Sequence, residues 1–177
     1  MAFYDAEVGV MIDAKTVDAR VRELGAQITR DYQGKDLTLV GILKGSVFFT
    51  TDLARAIDLP LTVEFLGVSS YQGGTETTGE VRITSDMTKP MAGKHLLIVE
   101  DIIDTGLTMK FLLENLQARH PASLKICALL EKPARARTKV PIDYKGFVIE
   151  DKFVVGYGLD FDEKFRNLPF IGVMKGR

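Results

Sequence analysis

The sequence predicts an α/β fold with a mainly parallel, twisted sheet flanked by helices. Two short and nearly unbroken apolar runs, residues 37–43 ("LTLVGIL") and 95–100 ("HLLIVE"), are typical of strands that are covered on both faces. Each run is followed within a few residues by a segment with a helical pattern. A repeated order of strand, helix and strand implies parallel pairing with right-handed crossovers, and this order predicts the class.

A first helix is predicted before the first of these strands, at residues 14–32 ("AKTVDARVRELGAQITRDY"). Its apolar residues recur at the spacing of one helical face, at Val17, Val21, Leu24 and Ile28. Gly34 follows as a stop signal, because glycine commonly ends a helix. The segment is therefore predicted to be one amphipathic helix.

The remaining elements follow from the same patterns. Helices are predicted at residues 46–57 ("SVFFTTDLARAI") and 107–119, and strands at residues 61–68, 80–84 and 124–130. In sheets of this class, ligands bind beyond the carboxyl ends of the strands. The loops at residues 44–46 and 100–108 both fall there, so the sequence predicts the functional site at these two loops.

Composition limits the classes of function. The 177 residues are 46% apolar and 27% charged, as in an ordinary globular domain, and 23 basic residues balance 24 acidic ones. Because the net charge is close to zero, we expect neither nucleic-acid nor membrane binding. We also expect no signal peptide and no membrane span.

Cys127, the single cysteine, stands among apolar neighbours, so we expect a buried structural thiol in a cytoplasmic protein. With two histidines, His95 and His120, a histidine metal site or catalytic triad has little support.

Three acids, Glu100, Asp101 and Asp104, lie between the end of the predicted strand of residues 95–100 and the helix that follows it. Neither a GxxxxGK[ST] loop nor a GxGxxG loop is present. The turn of residues 104–108 offers backbone N–H groups, a flexible glycine and two hydroxyls, which suit a terminal phosphate dianion. Glu100 and Asp101 offer acceptors for paired sugar hydroxyls. Together they suit a ribose 5-phosphate; the alternative is that Asp104, Thr105 or Thr108 only caps the helix.

The segment "LLIVEDIIDTGLTM" resembles the phosphoribosyl diphosphate signature of type I phosphoribosyltransferases. Four further segments resemble the hypoxanthine/guanine branch of that family: "GILKGSVFF", "SSY" before a polar loop, "LLEKPARAR", and "DKFVVGYGLDFDEKFRNLPFIGV". The resemblance covers nearly all of residues 8–175, in the order and spacing of the family.

The resemblance implies a type I phosphoribosyltransferase fold in a single domain, residues 1–177. It implies a core at about residues 30–150, a small hood subdomain from the chain ends (about 1–15 and 151–177), and a mobile lid at about residues 69–80. The implied reaction is transfer of ribose 5-phosphate from phosphoribosyl diphosphate to N9 of hypoxanthine or guanine. A homodimer or homotetramer is also implied.

The resemblance also assigns roles to the residues at the end of the predicted strand of residues 95–100 and in the turn after it. Asp104 matches the residue placed against purine N7 as candidate acid/base, a role worth roughly a hundredfold to ten-thousandfold in rate. Glu100 and Asp101 match ligands of the ribose hydroxyls. The 5-phosphate loop is matched by Thr105, Gly106, Leu107 and Thr108.

Further assignments concern the diphosphate and its metal ion. Leu43, Lys44 and Gly45 match the diphosphate loop, where the family has a cis peptide bond between the first two positions, and Arg166 matches a diphosphate ligand. The implied cofactor is Mg²⁺, which prefers oxygen ligands and neutralises a leaving diphosphate; its implied ligands are Asp160, Glu100 and Asp101. Ser70 and Tyr71 match a lid that excludes water from the reaction centre.

Three positions match the purine site of the family. Lys132 is implied to face the oxygen at C6, Phe153 to stack on the ring, and the backbone of Val154 to contact the base edge. A cationic donor at C6 favours a 6-oxopurine over adenine, whose amino group is itself a donor. The alternative from the residues alone is that Phe153 and Val154 belong to a buried strand. The ranking of hypoxanthine, guanine and xanthine is not readable from side chains.

Two rival functions are compatible with parts of the sequence. Some proteins of this fold bind RNA and respond to nucleotides, and "KPARARTK" is a short basic run, although the charge balance and the lack of interleaved aromatics disfavour that use. The run is more typical of a solvated or subunit-contact segment. An isoprenoid-synthase-like acid cluster at "EDIID" would require a helix, whereas the preceding β-branched residues favour a strand.

Overall fold

The computed structural model describes residues 8–70 and 81–175, which form two sheets and three α-helices. In chain order the elements are β1 (Val8–Ile12), α1 (Ala14–Asp31), β2 (Leu37–Leu43), α2 (Val47–Ala56), β3 (Leu61–Ser70), β4 (Val81–Ser85), β5 (His95–Ile103), α3 (Leu107–Gln117), β6 (Ser123–Glu131), β7 (Tyr144–Val148), β8 (Val154–Val155) and β9 (Ile171–Met174). The predicted α/β class is confirmed.

The larger sheet has six strands in the order β4-β3-β2-β5-β6-β7. All neighbours are parallel except β3 and β4, which are antiparallel. The predicted strand–helix–strand units therefore lie where expected, with β2 and β5 side by side at the centre.

Both faces of the central strands are covered, as their unbroken apolar runs predict. In β5, Leu97 and Val99 pack in one core cluster with side chains of α1 and α2, whereas Leu96 and Ile98 pack in a second cluster with side chains of α3. Successive residues of a strand point to opposite faces, so a doubly covered strand is apolar at nearly every position.

Helix α1 is held by its predicted apolar face and by a side-chain cap. Asp13 accepts a hydrogen bond from the backbone N–H of Thr16 at 2.7 Å, which satisfies one of the free donors of the first turn. The helix ends at Asp31, and Gly34 follows with a positive φ of 73°. A β-carbon on Gly25 would lie 2.5 Å from the carbonyl oxygen of Ala56, so glycine allows α1 and α2 to approach closely.

The two ends of the described chain form a second, antiparallel sheet in the order β1-β9-β8. A small apolar cluster of Val8, Val155, Phe165 and Leu168 belongs to it. This sheet corresponds to the small hood that the resemblance implies, whereas the exact domain boundaries stay a prediction.

The predicted lid lies mostly outside the described residues. Ser69 and Ser70 belong to β3, which is two residues longer than predicted, and they pair with Arg82 and Val81 of β4. Tyr71 and the rest of residues 71–80 are outside the described part of the chain. Among the described residues, no helix has the length and apolar character that crossing a membrane requires.

Candidate active site

The two predicted loops meet beside each other because β2 and β5 are adjacent and parallel. The loop between β2 and α2 holds Lys44 and Gly45, and the loop between β5 and α3 holds Asp104 and Thr105. Both helices begin without a side-chain hydrogen bond at the cap. The site therefore has two helix N-termini at one edge of the sheet, a geometry suited to anions.

The carboxyl groups of Glu100 and Asp101 lie near the end of β5. This strand runs to Ile103, so the prediction of residues 100–103 as part of the loop is wrong. Asp101 is 9% exposed, and its Oδ1 accepts a hydrogen bond from the backbone N–H of Ile102 at 2.8 Å. Burial, and next the charge of Asp101, hold the pKa of Glu100 well above its usual range, and burial also raises the pKa of Asp101. Oε2 of Glu100 is enclosed and accepts no hydrogen bond from the described residues. This pair has free acceptors for hydroxyl donors or for a cation.

The three predicted metal ligands are not brought together as one group. Among the described residues there is no group of three or more acidic, histidine or cysteine side chains with metal-binding geometry. Asp160 instead pairs with Arg166, whose Nη2 lies 2.9 Å from Oδ1 of Asp160. Glu100 and Asp101 still provide carboxylate oxygens of the kind that Mg²⁺ accepts alongside phosphate oxygens and water.

The turn between β5 and α3 is shaped by Gly106, which has a positive φ of 80°. A β-carbon there would lie 2.3 Å from the carbonyl oxygen of Thr138, so both the conformation and the close approach require glycine. The backbone N–H groups of Arg137 and Thr138 donate to the carbonyl of Thr105, each at 3.0 Å. The segment after β6 thus holds the turn in place.

Helix-capping by Asp104, Thr105 or Thr108, the alternative function of these residues, is not found. The cap residue is Gly106, and the nearest side-chain contact is Thr105 Oγ1 at 3.5 Å from the N–H of Leu107, the upper limit for a hydrogen bond. A cavity of about 180 Å³ lies in front of this turn, lined by residues 100–106, Thr108 and Met109. The acids and hydroxyls therefore line a cavity instead of closing the helix.

The turn between β2 and α2 packs directly on the acids. The peptide bond between Leu43 and Lys44 is cis, as the resemblance implies. A β-carbon on Gly45 would lie 1.7 Å from Oδ2 of Asp101, and one on Gly158 would lie 1.9 Å from the carbonyl oxygen of Gly45. Three backbone segments therefore meet around the carboxyl group of Asp101, and neither glycine could carry a side chain without moving them.

One set of charged side chains, which we name the Glu163 cluster, flanks the acids on the side of Lys44. Its members are Lys44, Asp160, Glu163 and Arg166. Glu163 accepts a hydrogen bond from Lys44 Nζ at 2.8 Å and lies 3.4 Å from Arg166 Nη2. Lys44 and then Arg166 lower the pKa of the Glu163 carboxyl. A groove of about 340 Å³ opens beside this cluster, walled by residues that include Gly67 and Thr84.

A second set, which we name the Asp151 cluster, lies on the side of Asp104. Its members are Asp104, Lys132, Arg135 and Asp151. Nε of Arg135 lies 2.9 Å from Oδ1 of Asp104, but without the alignment of a hydrogen bond, so this enclosed oxygen accepts none within the described residues. Lys132 Nζ lies 3.7 Å from Oδ1 of Asp151. The cluster combines a buried lysine with a carboxylate oxygen that is open to a donor.

The two residues matched to the purine site differ in exposure. Val154 is buried in the apolar core, as the strand interpretation predicts for its side chain. Phe153 is 45% exposed and contacts Phe161 edge to face, with ring centroids 5.8 Å apart. The interpretation of Phe153 as a core residue is therefore wrong, because much of its surface is accessible.

The remaining sequence predictions concern structural residues. Cys127 is fully buried, and burial raises the pKa of its thiol. His95 Nδ1 lies 2.8 Å from Ser123 Oγ at the opposite end of the strands from the site. Both fit the structural roles predicted for them.

Sequence reasoning missed Arg135, Asp151 and Glu163. Arg135 stands in the basic run "KPARARTK", a pattern typical of a solvated or subunit-contact segment, yet its guanidinium contacts Asp104. Asp151 and Glu163 are charged residues of loop segments, and nothing in their sequence neighbourhood distinguishes them from solvated acids. Asp151 is identified only by its distance to Lys132, and Glu163 only by its distance to Lys44.

Known proteins of similar sequence and structure match most of the chain. The family model of the phosphoribosyl transferase domain matches residues 12–162. The hypoxanthine-guanine phosphoribosyltransferase of Staphylococcus aureus is 50% identical over 166 residues, which cover 94% of this chain and 93% of that protein. The hypoxanthine phosphoribosyltransferase of Haemophilus influenzae is 51% identical over 168 residues, or 93% and 94% of the two chains. A crystal structure of a Staphylococcus aureus hypoxanthine phosphoribosyltransferase superimposes with a TM-score of 0.94 at 47% identity, covering 99% of this chain and 95% of that one.

Proposed function

Because the chain belongs to the phosphoribosyltransferase family, we propose that it transfers ribose 5-phosphate from phosphoribosyl diphosphate to N9 of hypoxanthine, and of guanine. The products are IMP or GMP and diphosphate. The observation that supports this proposal best is the position of Asp104, which has an enclosed oxygen without a hydrogen bond beside both the acidic pair and the N-terminus of α3.

In the proposed reaction, N9 of the base forms a bond to C1′ of the ribose while the bond from C1′ to the diphosphate oxygen breaks. The electron pair of that bond leaves with the diphosphate, and the proton on N7 of the base passes to the carboxylate of Asp104. Oδ1 of Asp104 has a free acceptor position for that proton. Positive charge that develops on the ribose faces the carboxyl groups of Glu100 and Asp101.

The two turns would hold the phosphate groups. The uncapped N-terminus of α3 and the hydroxyls of Thr105 and Thr108 suit the 5-phosphate, which carries two negative charges. Leu43, Lys44 and Arg166 line the adjacent groove, which suits the diphosphate. We propose Leu43, Gly106 and Leu107 as backbone contacts, and Ser70 and Tyr71 as the lid that excludes water.

Mg²⁺ is the proposed cofactor, and the donor set fits it. The enclosed Oε2 of Glu100 has no hydrogen bond, and both acids provide the hard oxygen ligands that this ion prefers. When bound, the ion neutralises charge on the leaving diphosphate. Asp160 would join as a ligand after exchanging its contact with Arg166, whose guanidinium would then turn to the diphosphate.

We propose that the base is selected by Lys132, Phe153 and Val154. The ammonium group of Lys132 donates to a carbonyl oxygen at C6, the exposed ring of Phe153 stacks on the purine, and the backbone of Val154 contacts the base edge. Nothing in the described residues favours the RNA-binding alternative, because Arg135 of the basic run is engaged by two carboxylates. A homodimer or homotetramer in the cytoplasm remains the expectation from the resemblance.

The test is product formation from phosphoribosyl diphosphate, Mg²⁺ and hypoxanthine, guanine, xanthine, adenine or orotate, each offered alone. We expect turnover of hypoxanthine and guanine, none of adenine or orotate, and loss of turnover when EDTA removes the metal. Failure with every 6-oxopurine would refute the proposed function.

Asp104→Asn should lower kcat for hypoxanthine by about a hundredfold to ten-thousandfold, because the variant cannot accept the N7 proton. Asp18→Asn is the matched control, since Asp18 is an exposed acid of α1 that pairs with Arg22. Equal rates for the two variants would show that Asp104 has no catalytic role, even if the wild-type protein turns over.

A further inference from the structure

Lys132 carries a positive charge in a buried place. Its side chain is 8% exposed, and its backbone N–H donates to the carbonyl of Ile103 at 3.0 Å, which holds the residue at the end of β6. A buried ammonium group is costly unless an opposite charge lies close to it. Within the described part of the chain, the carboxylate that lies within 4 Å of Nζ is that of Asp151, at 3.7 Å.

The same oxygen of Asp151 is shared with a second cation. Nη1 of Arg135 lies 3.7 Å from Oδ1 of Asp151, while Nε of the same guanidinium lies 2.9 Å from Oδ1 of Asp104. The four charges thus form a chain in the order Asp104, Arg135, Asp151, Lys132. At its two ends stand the residue proposed to face N7 of the base and the residue proposed to face O6.

The backbone brings these side chains together at the ends of two neighbouring parallel strands. Arg135 belongs to a short 3₁₀ turn, Pro133–Arg135, directly after β6. Asp151 follows β7, and the N–H of Ile149 donates to the carbonyl of Glu131 at 3.0 Å, which holds the segment after β7 against the end of β6. The arrangement is therefore held by the sheet and does not depend on a flexible tail.

We propose that Asp151 and Arg135 are positioning residues for the base: Asp151 holds Lys132 toward O6, and Arg135 holds Asp104 toward N7. The inference rests on the proposed function and extends it to two residues that do not touch the base. The separation of 3.7 Å between Lys132 Nζ and Asp151 leaves the ammonium protons free of a short hydrogen bond, so they can be donated to a carbonyl at C6.

The first experiment compares Asp151→Asn with Glu150→Gln. Glu150 is the adjacent residue, is exposed and pairs with Lys152, so both variants remove one negative charge from the same loop. We expect Asp151→Asn to raise KM for hypoxanthine about tenfold, with KM for phosphoribosyl diphosphate changed less than twofold. Asp151→Glu should restore much of the affinity. The same values for Asp151→Asn and Glu150→Gln would overturn the inference.

The second experiment tests Arg135, which is half-exposed and tolerates substitution better than a buried residue. We expect Arg135→Gln to lower kcat for hypoxanthine about threefold to tenfold with little change in KM, and Arg135→Lys to retain more activity than Arg135→Gln. In the Asp104→Asn background, Arg135→Gln should cause no further loss, because its effect passes through Asp104. Independent, multiplicative losses would overturn this part, and so would an unchanged kcat in the single variant.

The wild-type protein separates this inference from the proposed function. Absence of hypoxanthine turnover by the wild-type protein would refute the proposed function and the inference with it. Turnover by the wild-type protein together with an Asp151→Asn variant that behaves like Glu150→Gln would refute only the inference. If Asp151→Asn fails to fold, the additivity test on Arg135 still decides whether the ion chain acts through Asp104.

Discussion

The Asp151 cluster and the Glu163 cluster each join two cations to two carboxylates, yet their lysines differ in burial. The side chain of Lys132 is 8% exposed, whereas that of Lys44 is 68% exposed. The contact of Lys44 with Glu163 is nevertheless the shorter, at 2.8 Å against 3.7 Å for Lys132 with Asp151. Water screens an exposed pair, but a buried charge loses its hydration and depends on its partner. Burial, more than distance, should therefore decide which of the two lysines is more sensitive to substitution.

The difference also suits the two proposed ligands. A flat purine with few polar atoms gains selectivity from a donor held rigidly in a dry place. A diphosphate carries high charge and must leave after each turnover, so a solvated lysine is adequate for it. The same site also holds the buried Asp101 and Glu100, whose enclosed Oε2 has no hydrogen bond within the described residues.

The largest effect expected from this comparison is the change in steady-state kinetics when each of the two lysines is replaced. Lys132→Gln should lower kcat/KM for hypoxanthine about tenfold to hundredfold, since a hydrogen bond from a charged donor contributes about 1.5–3 kcal/mol. Lys44→Gln should raise KM for phosphoribosyl diphosphate by less than tenfold and leave the preference among bases unchanged. Steady-state kinetics with both substrates would check this. A stronger effect on base preference at Lys44 than at Lys132 would contradict the assignment of the clusters.

A smaller effect is expected for the stability of Glu100→Gln. The pKa of the Glu100 carboxyl is raised in the folded protein, so the folded state binds a proton that the unfolded state releases. The free energy of unfolding therefore falls as pH rises from the usual pKa of a glutamate through the raised value, and neutral glutamine removes that loss. Removal of the unsatisfied Glu100 carboxyl should stabilise the protein by about 1 kcal/mol. We therefore expect the Tm of Glu100→Gln to be roughly 2–4 °C higher than that of the wild-type protein.

The measurement is thermal unfolding without metal between pH 4 and pH 8, with Glu114→Gln on α3 as the control. The difference in Tm should be largest at pH 8 and small near pH 4, where the carboxyl group is protonated in both states. Catalytic turnover by Glu100→Gln should fall at the same time, since the residue is proposed to contact the ribose and the metal. An unchanged Tm at pH 8 would contradict the raised pKa.

The smallest effect is expected for Glu163→Gln. Glu163 pairs with Lys44 and lies near Arg166, so it competes with diphosphate for both cations. Its removal should lower KM for phosphoribosyl diphosphate about twofold to fivefold, the range of exposed ion pairs, and the gain should shrink at high salt. Asp162→Asn, at the adjacent exposed position, is the control. A higher KM in Glu163→Gln would show that the carboxylate supports the site instead of competing for it.

Much of the larger sheet could be predicted from local patterns. The doubly covered strands β2 and β5 carry nearly unbroken apolar runs, and their helices carry an apolar stripe, so both patterns are visible in the sequence. The sheet from the chain ends was accessible only through the resemblance, because β8 has two residues and pairs with β9 across a long loop. A strand of that length has no period to detect.

The sequence by itself determined the α/β class, the position of the two turns and the acids at the end of β5. These features depend on neighbouring residues, namely strand periodicity, glycine positions and acids next to a turn. Only the tertiary structure decided that Arg135 faces Asp104, that Asp151 partners a buried lysine, and that Asp160 pairs with Arg166. Such contacts join segments distant in the chain, and the energy of a charge depends on its burial and on the partner that the fold places beside it.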